Sequence, residues 1–515
     1  MSKAINYIIY IVLILVALII TSASKYYVNV YGNSNLDGIL FYLNSGLEGA
    51  DLSVVYEFFK EQWYLLLLSL VVILLPVFSI NKNKYFIEMD FKNKKVKLNF
   101  FPIFHTNKMK LAYVLVILLG SIGFSYQTLG VNDFLKSLTD YSTFIEEEYV
   151  NPNDVQISFP ENKRNLIMIY LESMETTMLS KENGGGWNYS VMPELEKLAV
   201  ENTNFSNTES IGGSYNTPGT NWTIAGLVST TSGLPLKLPI GGNDYTDENF
   251  LTGAIALGDI LKNEGYNLEF MFGSDAKFGG RYQYFMTHGG HNIFDLNTAI
   301  DRKLMTPEDV VFWGFEDNDL FEWAKQEISI LSKEDKPFNL NMLTVNTHFT
   351  DGWLESGAEE IHPTQYENVH AHTSKQVSEF INWLQEQDFY ENTTVVLVGD
   401  HLSMQPTQYY EENIADDKFE RVIYNSFLNS PVQPVKEKER LFSNLDIYPT
   451  VLASLGVEIE GNRLALGTNL YSSEETLYEK YGIKHVNGEL SKNSSFYNAR
   501  FLGDEYVDLI KPAND

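Results

Sequence analysis

Polar residues thin out three times in the first 130 positions. The run 8–20 is unbroken apolar sequence and extends with few interruptions over 5–23, and two further runs cover 63–80 and 111–126. Each approaches the roughly 20 residues that a helix needs to cross a bilayer core, the third being somewhat short. A cleaved leader would account for only the first. The pattern predicts three membrane-spanning helices. Between the second and third lie eight lysines (Lys82, Lys84, Lys92, Lys94, Lys95, Lys97, Lys108, Lys110) against Glu88 and Asp90, whereas the loop before the second holds Lys25 and Lys60 against several acids. The positive-inside rule then places 81–110 in the cytoplasm together with Lys3, and everything after the third span outside. The stretch 38–50 is apolar but too short to span, and is expected along the interface.

After residue 128 the pattern changes. Residues 129–162 are polar, carry Glu146, Glu147 and Glu148 in a row, and read as a linker to an extracytoplasmic domain over 163–515. There, short apolar runs alternate with helical patterns. The runs 166–171, 268–272, 340–345 and 395–398 read as buried strands, and 193–201, 257–264 and 374–386 as helices between them. That alternation predicts an α/β fold with a mostly parallel sheet covered on both faces.

Charge and composition narrow the partners. The first 130 residues hold 11 Lys and Arg against 7 Asp and Glu, the rest 26 against 60. So acidic a domain argues against nucleic acid, which demands basic surface. The chain has no cysteine, so disulfides and thiolate metal sites are excluded, and a metal must be held by histidine and oxygen.

In open α/β sheets, ligand groups cluster beyond the carboxyl ends of the strands. The run 166–171 ends at Glu172, 395–398 at Gly399, Asp400 and His401, and 340–345 at Asn346, Thr347 and His348. An adjacent carboxylate and imidazole on a glycine-freed turn can serve one metal, whereas a single carboxylate after a strand often only caps a helix. In the stretch 214–235, Pro218-Gly219 makes a turn before a helical pattern through Ile224, Leu227 and Val228. A threonine at that helix start is either an N-cap or a hydroxyl beside an anion site. Composition leaves Thr217, Thr220 and Thr223 open.

Taken together, YLESME (170–175), PGTNWTIAGLV (218–228), TSGLPL (231–236), TVNTHFTDG (344–352), GDHLSM (399–404) and DIYPTVLASLG (446–456) resemble the phosphoglycerol transferase and lipoteichoic acid synthase group of the alkaline phosphatase/sulfatase superfamily. The membrane half is most similar to the members that decorate osmoregulated periplasmic glucans. The resemblance implies a bacterial inner-membrane enzyme, its catalytic domain facing the periplasm or cell exterior. It also implies transfer of phosphoglycerol from phosphatidylglycerol to a glycan or glycerol-phosphate acceptor. Glu172, Asp400 and His401 match the family's metal ligands, and Thr220 its metal-touching nucleophile. His348 and Arg281 fall where the family grips the phosphoglycerol head. His288 recurs as well, with a structural role the favoured reading. The implied cofactor is a divalent cation, manganese by resemblance, with magnesium or zinc also suited to this ligand set. A phosphoethanolamine transferase is the nearest alternative, disfavoured because such enzymes are usually disulfide-stapled. No Cys- or Ser-x-Pro-x-Arg segment supports a sulfatase, and a membrane-tethered binding domain would be expected to have lost one of the four key residues.

Overall fold

The computed structural model describes residues 3–31, 53–78, 86–91, 94–99, 106–237, 250–416 and 418–502, so the stretch 38–50 and the loop 238–249 lie outside the described residues. The chain divides into two compact units, residues 1–36 with 51–135 and residues 37–50 with 136–515.

The first unit holds helices α1 (Lys3–Tyr31), α2 (Ser53–Phe78) and α3 (Asn107–Thr128), with the antiparallel pair β1 (Phe86–Phe91) and β2 (Lys94–Asn99) between α2 and α3. Buried Tyr10, Ile14, Leu74, Val77 and Val114 join the three helices. Ser121 bonds both the Thr21 hydroxyl and the Ala17 carbonyl, tying α3 to α1. Ile8, Leu68, Val116 and Leu119 point outward, a face suited to lipid rather than water. Helices α1 and α3 contain stretches long and apolar enough to cross a membrane, Ala4–Val28 and Asn107–Thr128. The apolar part of α2 is shorter, Gln62–Val77, because its first turns carry Glu57, Lys60 and Glu61.

The second unit is built on seven strands: β3 (Asn165–Leu171), β4 (Gly213–Ser214), β5 (Asn267–Phe272), β6 (Asn292–Phe294), β7 (Phe338–Leu343), β8 (Thr393–Gly399) and β9 (Ile423–Leu428). Their order is β4-β9-β8-β3-β7-β5-β6. The five from β8 to β6 are parallel, and β9 closes one side antiparallel to both β8 and β4. Strand β3 shows why a continuous apolar run was required. Leu166, Met168 and Tyr170 enter one core while Ile167, Ile169 and Leu171 enter the other. The first face is covered by α5 (Thr223–Ser232), α6 (Leu257–Asn263), α7 (Arg281–Thr287) and α10 (Ile447–Ser454), the second by α4 (Pro193–Glu201), α8 (Asp317–Leu331) and α9 (Gln365–Gln385). The sheet is therefore sandwiched between helix layers, as the alternation of patterns predicts.

Helix α9 begins nine residues before the expected start at 374, at Gln365. Thr364 caps it by accepting from the Glu367 amide, and Glu367 accepts from Thr364 in return. Its first turns bury polar Glu367, Asn368 and His370, which masks the helical stripe. The core also reaches back into 129–162: Phe144 and Ile145 are buried, and Ile157–Ser158 pairs with Glu458–Ile459.

Central strand β3 carries the load of both cores. Ile169→Ala should lower unfolding free energy by about 2–5 kcal/mol through lost burial and the cavity left, measured by urea denaturation of the second unit's transition.

Candidate active site

Strand register alone brings the first groups together. Leu171 on β3 pairs with Gly399 on β8, and Tyr170 with Leu343 on β7, so three strands end side by side. The next residues, Glu172, Asp400 and Thr344, emerge at one edge. Glu172, Asp400 and His401 are all buried, with ligand atoms within 4.8 Å of one another. His401 Nε2 stands 3.5 Å from Glu172 Oε1 and 3.4 Å from Asp400 Oδ2.

The backbone holds this cluster from several directions. Ser173 adopts φ 56°, a left-handed turn straight after the strand. Its amide donates to Asp400 Oδ1 at 2.8 Å and its hydroxyl to Glu172 Oε1 at 2.7 Å. The Glu172 amide donates to Thr344 Oγ1, and Thr347 Oγ1 donates to the Glu172 carbonyl. The carbonyl of Leu402 takes His401 Nδ1, which places the proton on Nδ1 and leaves Nε2 a lone pair toward the carboxylates.

The electrostatics call for a cation. Among the described residues no lysine or arginine pairs with Glu172 or Asp400. Burial, with Glu172 beside it, pushes Asp400 up to about 8. Burial also opposes ionised Glu172, yet the neighbouring His401 and His348 rings and the Ser173 hydroxyl hold it below the usual carboxylate range. Asp400 Oδ2 is buried and accepts no hydrogen bond. An orphaned buried carboxylate oxygen facing a second carboxylate and an imidazole fits a divalent cation, which would neutralise a pair that is costly to bury alone.

Thr223 adds a hydroxyl to the cluster. It is the first residue of α5, and its Oγ1 donates to Glu172 Oε2 at 3.3 Å and lies 3.5 Å from His401 Nε2. Trp222 at the N-cap supplies no side-chain acceptor, so the first-turn amides and the positive helix end are left for an anion. Gly226 lets α5 approach this closely: a Cβ there would stand 2.3 Å from the Asp400 carbonyl oxygen. The same cavity is lined by Arg281, Trp313 and His348. Arg281 is fixed by bonds to the Phe278 and Asp275 carbonyls and lies over the Phe272 ring. His348 gives Nδ1 to the Phe349 carbonyl, and burial holds it below the ordinary histidine range, so the imidazole is neutral.

The structure thus brings together Glu172, Asp400, His401, His348 and Arg281. It does not bring Thr220 to the cluster. A backbone turn holds Thr220 in place: its hydroxyl accepts from the Thr217 amide at 3.1 Å and donates to the Thr217 carbonyl at 2.9 Å. Thr217 bonds Tyr478 instead. The helix starts three residues later than the Pro-Gly turn suggests, and Thr223 occupies its first position. His288 is structural, with one ring nitrogen against Asp259 and the other against the Phe250 carbonyl. Ser173 and Trp313 carried no sequence signal, since each depends on a loop whose course only the fold determines.

The family described as Sulfatase matches residues 164–457. Phosphoglycerol transferase I of Escherichia coli O127:H6 is 29% identical over 368 residues, covering 70% of this chain and 46% of that protein. The Salmonella choleraesuis protein of the same name is 29% identical over 371 residues, with the same coverage. The chain spans about half the length of these curated relatives. Among solved structures, lipoteichoic acid synthase LtaP from Listeria monocytogenes is 20% identical, with 64% of this chain and 80% of that chain covered and a TM-score of 0.48.

Above pH 8, where the Asp400 carboxyl ionises, Asp400→Asn removes an uncompensated buried charge while keeping the shape. The metal-free variant should melt higher than wild type, by about 2–4 °C for each kcal/mol recovered. The upward shift expected of wild type with a divalent cation should vanish. Differential scanning calorimetry with and without manganese reads both.

Proposed function

Because the chain belongs to the sulfatase family, we propose that it uses this cluster for phosphoryl-group transfer: phosphoglycerol passes from phosphatidylglycerol to a hydroxyl of a glycan or related acceptor, through a covalent threonine. One observation carries the reading. A hydroxyl at a helix start, Thr223 Oγ1, stands against the Glu172 carboxylate and the His401 imidazole, at a cavity that Thr223 lines together with Arg281 and neutral His348.

The residues divide the work. Glu172, Asp400, His401 and Thr223 would hold a divalent cation. That ion would lower the hydroxyl's pKa and offset charge on the phosphoryl oxygens. Thr223, rather than Thr220, is the proposed nucleophile, since Thr220 is committed to its own backbone turn. The first-turn amides of α5 receive the phosphoryl oxygens in a preorganised anion site. Thr223 Oγ bonds to phosphorus as the bond to diacylglycerol breaks, and an acceptor hydroxyl reverses the exchange.

The head-group end of the cavity favours phosphoglycerol over phosphoethanolamine. Arg281 lines it, and Glu172 is the sole carboxylate among its lining residues. An ammonium group would meet a fixed guanidinium there, whereas a neutral diol finds His348 Nε2 as an acceptor and Arg281 as a donor. The matches to phosphoglycerol transferase I support the same choice. Manganese is the proposed ion. The apolar helices of the first unit are the proposed multi-pass anchor in the inner membrane, with the second unit outside the cytoplasm. Such an anchor keeps the domain among its lipid donors and raises their effective concentration.

The test is diacylglycerol release from labelled phosphatidylglycerol by the detergent-solubilised full chain. Release should require manganese and cease with chelator. Thr223→Ala should lower it by roughly a thousandfold or more, as loss of a covalent nucleophile does, while Thr220→Ala should retain most of it. Loss in Thr220→Ala with retention in Thr223→Ala would reverse the assignment. Turnover of phosphatidylethanolamine in place of phosphatidylglycerol would give the site to the other head group.

A further inference from the structure

Beside the catalytic cavity lies a rigid aromatic edge that the donor chemistry does not use. Val311 and Gly314 exchange backbone hydrogen bonds, Val311 N to Gly314 O at 2.9 Å and Gly314 N to Val311 O at 2.8 Å. This tight two-residue turn carries Phe312 and Trp313 at its tip. Phe312 sits at φ 48°, a left-handed conformation that a bulky residue adopts only when its surroundings impose it. The turn is clamped to the end of β5. Phe315 N donates to the Gly273 carbonyl at 3.1 Å, and a Cβ on Gly314 would stand 1.8 Å from that same oxygen. The tip is therefore fixed.

The rings at the tip are held as well. Phe312 is stacked on Trp353, with centroids 6.0 Å apart and planes 19° apart. Trp353 is anchored by its indole, which donates to Glu316 at 2.8 Å, and by its amide, which donates to the Asn346 carbonyl at 2.7 Å. Trp313 lies 4.9 Å from the His348 ring and 5.3 Å from the Phe278 ring. All three rings are half-buried, so each keeps part of its surface in solvent. Trp313 lines the same cavity as Thr223 and Glu172, so the edge is continuous with the reacting centre.

We propose that Phe312 and Trp313, backed by Trp353, form the subsite that seats a neutral sugar ring of the acceptor and turns one of its hydroxyls toward Thr223. This inference rests on the transfer reading above. Aromatic faces are electron-rich, and the C–H face of a pyranose is weakly positive, so a sugar stacks on them while its rim of hydroxyls remains free to hydrogen-bond. The charge around the edge selects the occupant. Residues 305–320 expose Glu308 and Asp309, leave Glu316 and Asp319 half-exposed, and hold no lysine or arginine. An anionic lipid surface or a phosphate-rich polymer would be repelled there. A neutral polyol meets carboxylates as hydrogen-bond acceptors. In the transfer step the acceptor hydroxyl oxygen bonds to phosphorus, the P–O bond to Thr223 breaks, and the hydroxyl's proton ends on the Thr223 oxygen.

Phe312→Gly suits the test, since glycine adopts φ 48° freely and the turn loses only its ring. Trp353→Leu is the second variant. The solubilised full chain is titrated with a linear β-linked glucose hexasaccharide while tryptophan fluorescence is followed. Steady-state transfer from phosphatidylglycerol then gives separate donor and acceptor KM values. Wild type should show a saturable fluorescence change. Each variant should weaken it about tenfold or more, and should raise the acceptor KM at least tenfold further than the donor KM. Three results would overturn the inference: no saturable change in wild type, equal saccharide affinity in wild type and both variants, or a donor KM that rises while the acceptor KM stays. If wild type released no diacylglycerol at all, the transfer reading itself would fail, and the fluorescence titration alone would decide whether the edge binds sugar.

Discussion

Two buried carboxylates facing one another form the constraint around which the second unit is arranged. Parallel pairing ends β3 and β8 at the same level, so Glu172 and Asp400 leave the sheet side by side. In a low-dielectric interior two such charges repel and neither is well solvated. The surroundings answer in kind. The Ser173 amide and hydroxyl donate to the pair, His401 turns a nitrogen toward both, and the positive end of α5 approaches from the side. Yet Asp400 Oδ2 stays without a donor, and burial keeps Asp400 above the carboxylate range. The protein alone leaves the charge incompletely compensated. That residue of unsatisfied charge would give a dication its affinity there.

The same arrangement explains the placing of the proposed nucleophile, itself a weak one. A threonine in mid-helix would have its hydroxyl occupied by the backbone a turn earlier, as Thr230 and Thr231 do further along α5. At the first helical position no earlier turn exists, so the Thr223 hydroxyl is free to face Glu172 and His401. Gly226 then sets how near the helix can lie to Asp400. Sheet register, helix start and one missing side chain together make the centre, and none of the three would suffice.

Sequence was informative where chemistry and periodicity coincided. Buried parallel strands read as apolar runs because both faces need filling, so β3, β5, β7 and β8 were found to within two residues at each end, and the ionisable residues after β3, β7 and β8 followed from the strand-end rule. It was less informative where a turn continued past its obvious breaker. Pro218-Gly219 suggested a helix at Thr220, but a further backbone turn from Thr217 to Thr220 delays the helix to Thr223. Three residues moved the proposed nucleophile. In α9 the opposite error arose: buried polar residues broke the stripe, although the Thr364–Glu367 capping pair marked the true start. Phe312 and Trp313 belong to no periodic element, so only the clamped turn gives them a shared direction.

A strongly acidic domain with a proposed anionic lipid donor poses an apparent contradiction that distance resolves. Exposed charges separated by more than about 8 Å are largely screened at physiological ionic strength, so the acidic surface acts on its immediate surroundings and little beyond. Inside the cavity the balance is different, with fixed Arg281, the amide end of α5 and a cation-seeking cluster drawing a phosphodiester inward. The acidic rim near Glu316 and Asp319 repels polyanions from the place where the acceptor is proposed to sit. Charge, in the proposed scheme, separates the two substrates by region, the anionic head drawn to buried Arg281 and the α5 amides and the neutral partner left to the aromatic edge. In the proposed scheme, membrane tethering rather than surface attraction supplies the encounter with lipid. A domain so tethered gains nothing from a basic exterior, and an acidic one keeps the sugar subsite clear of phosphate.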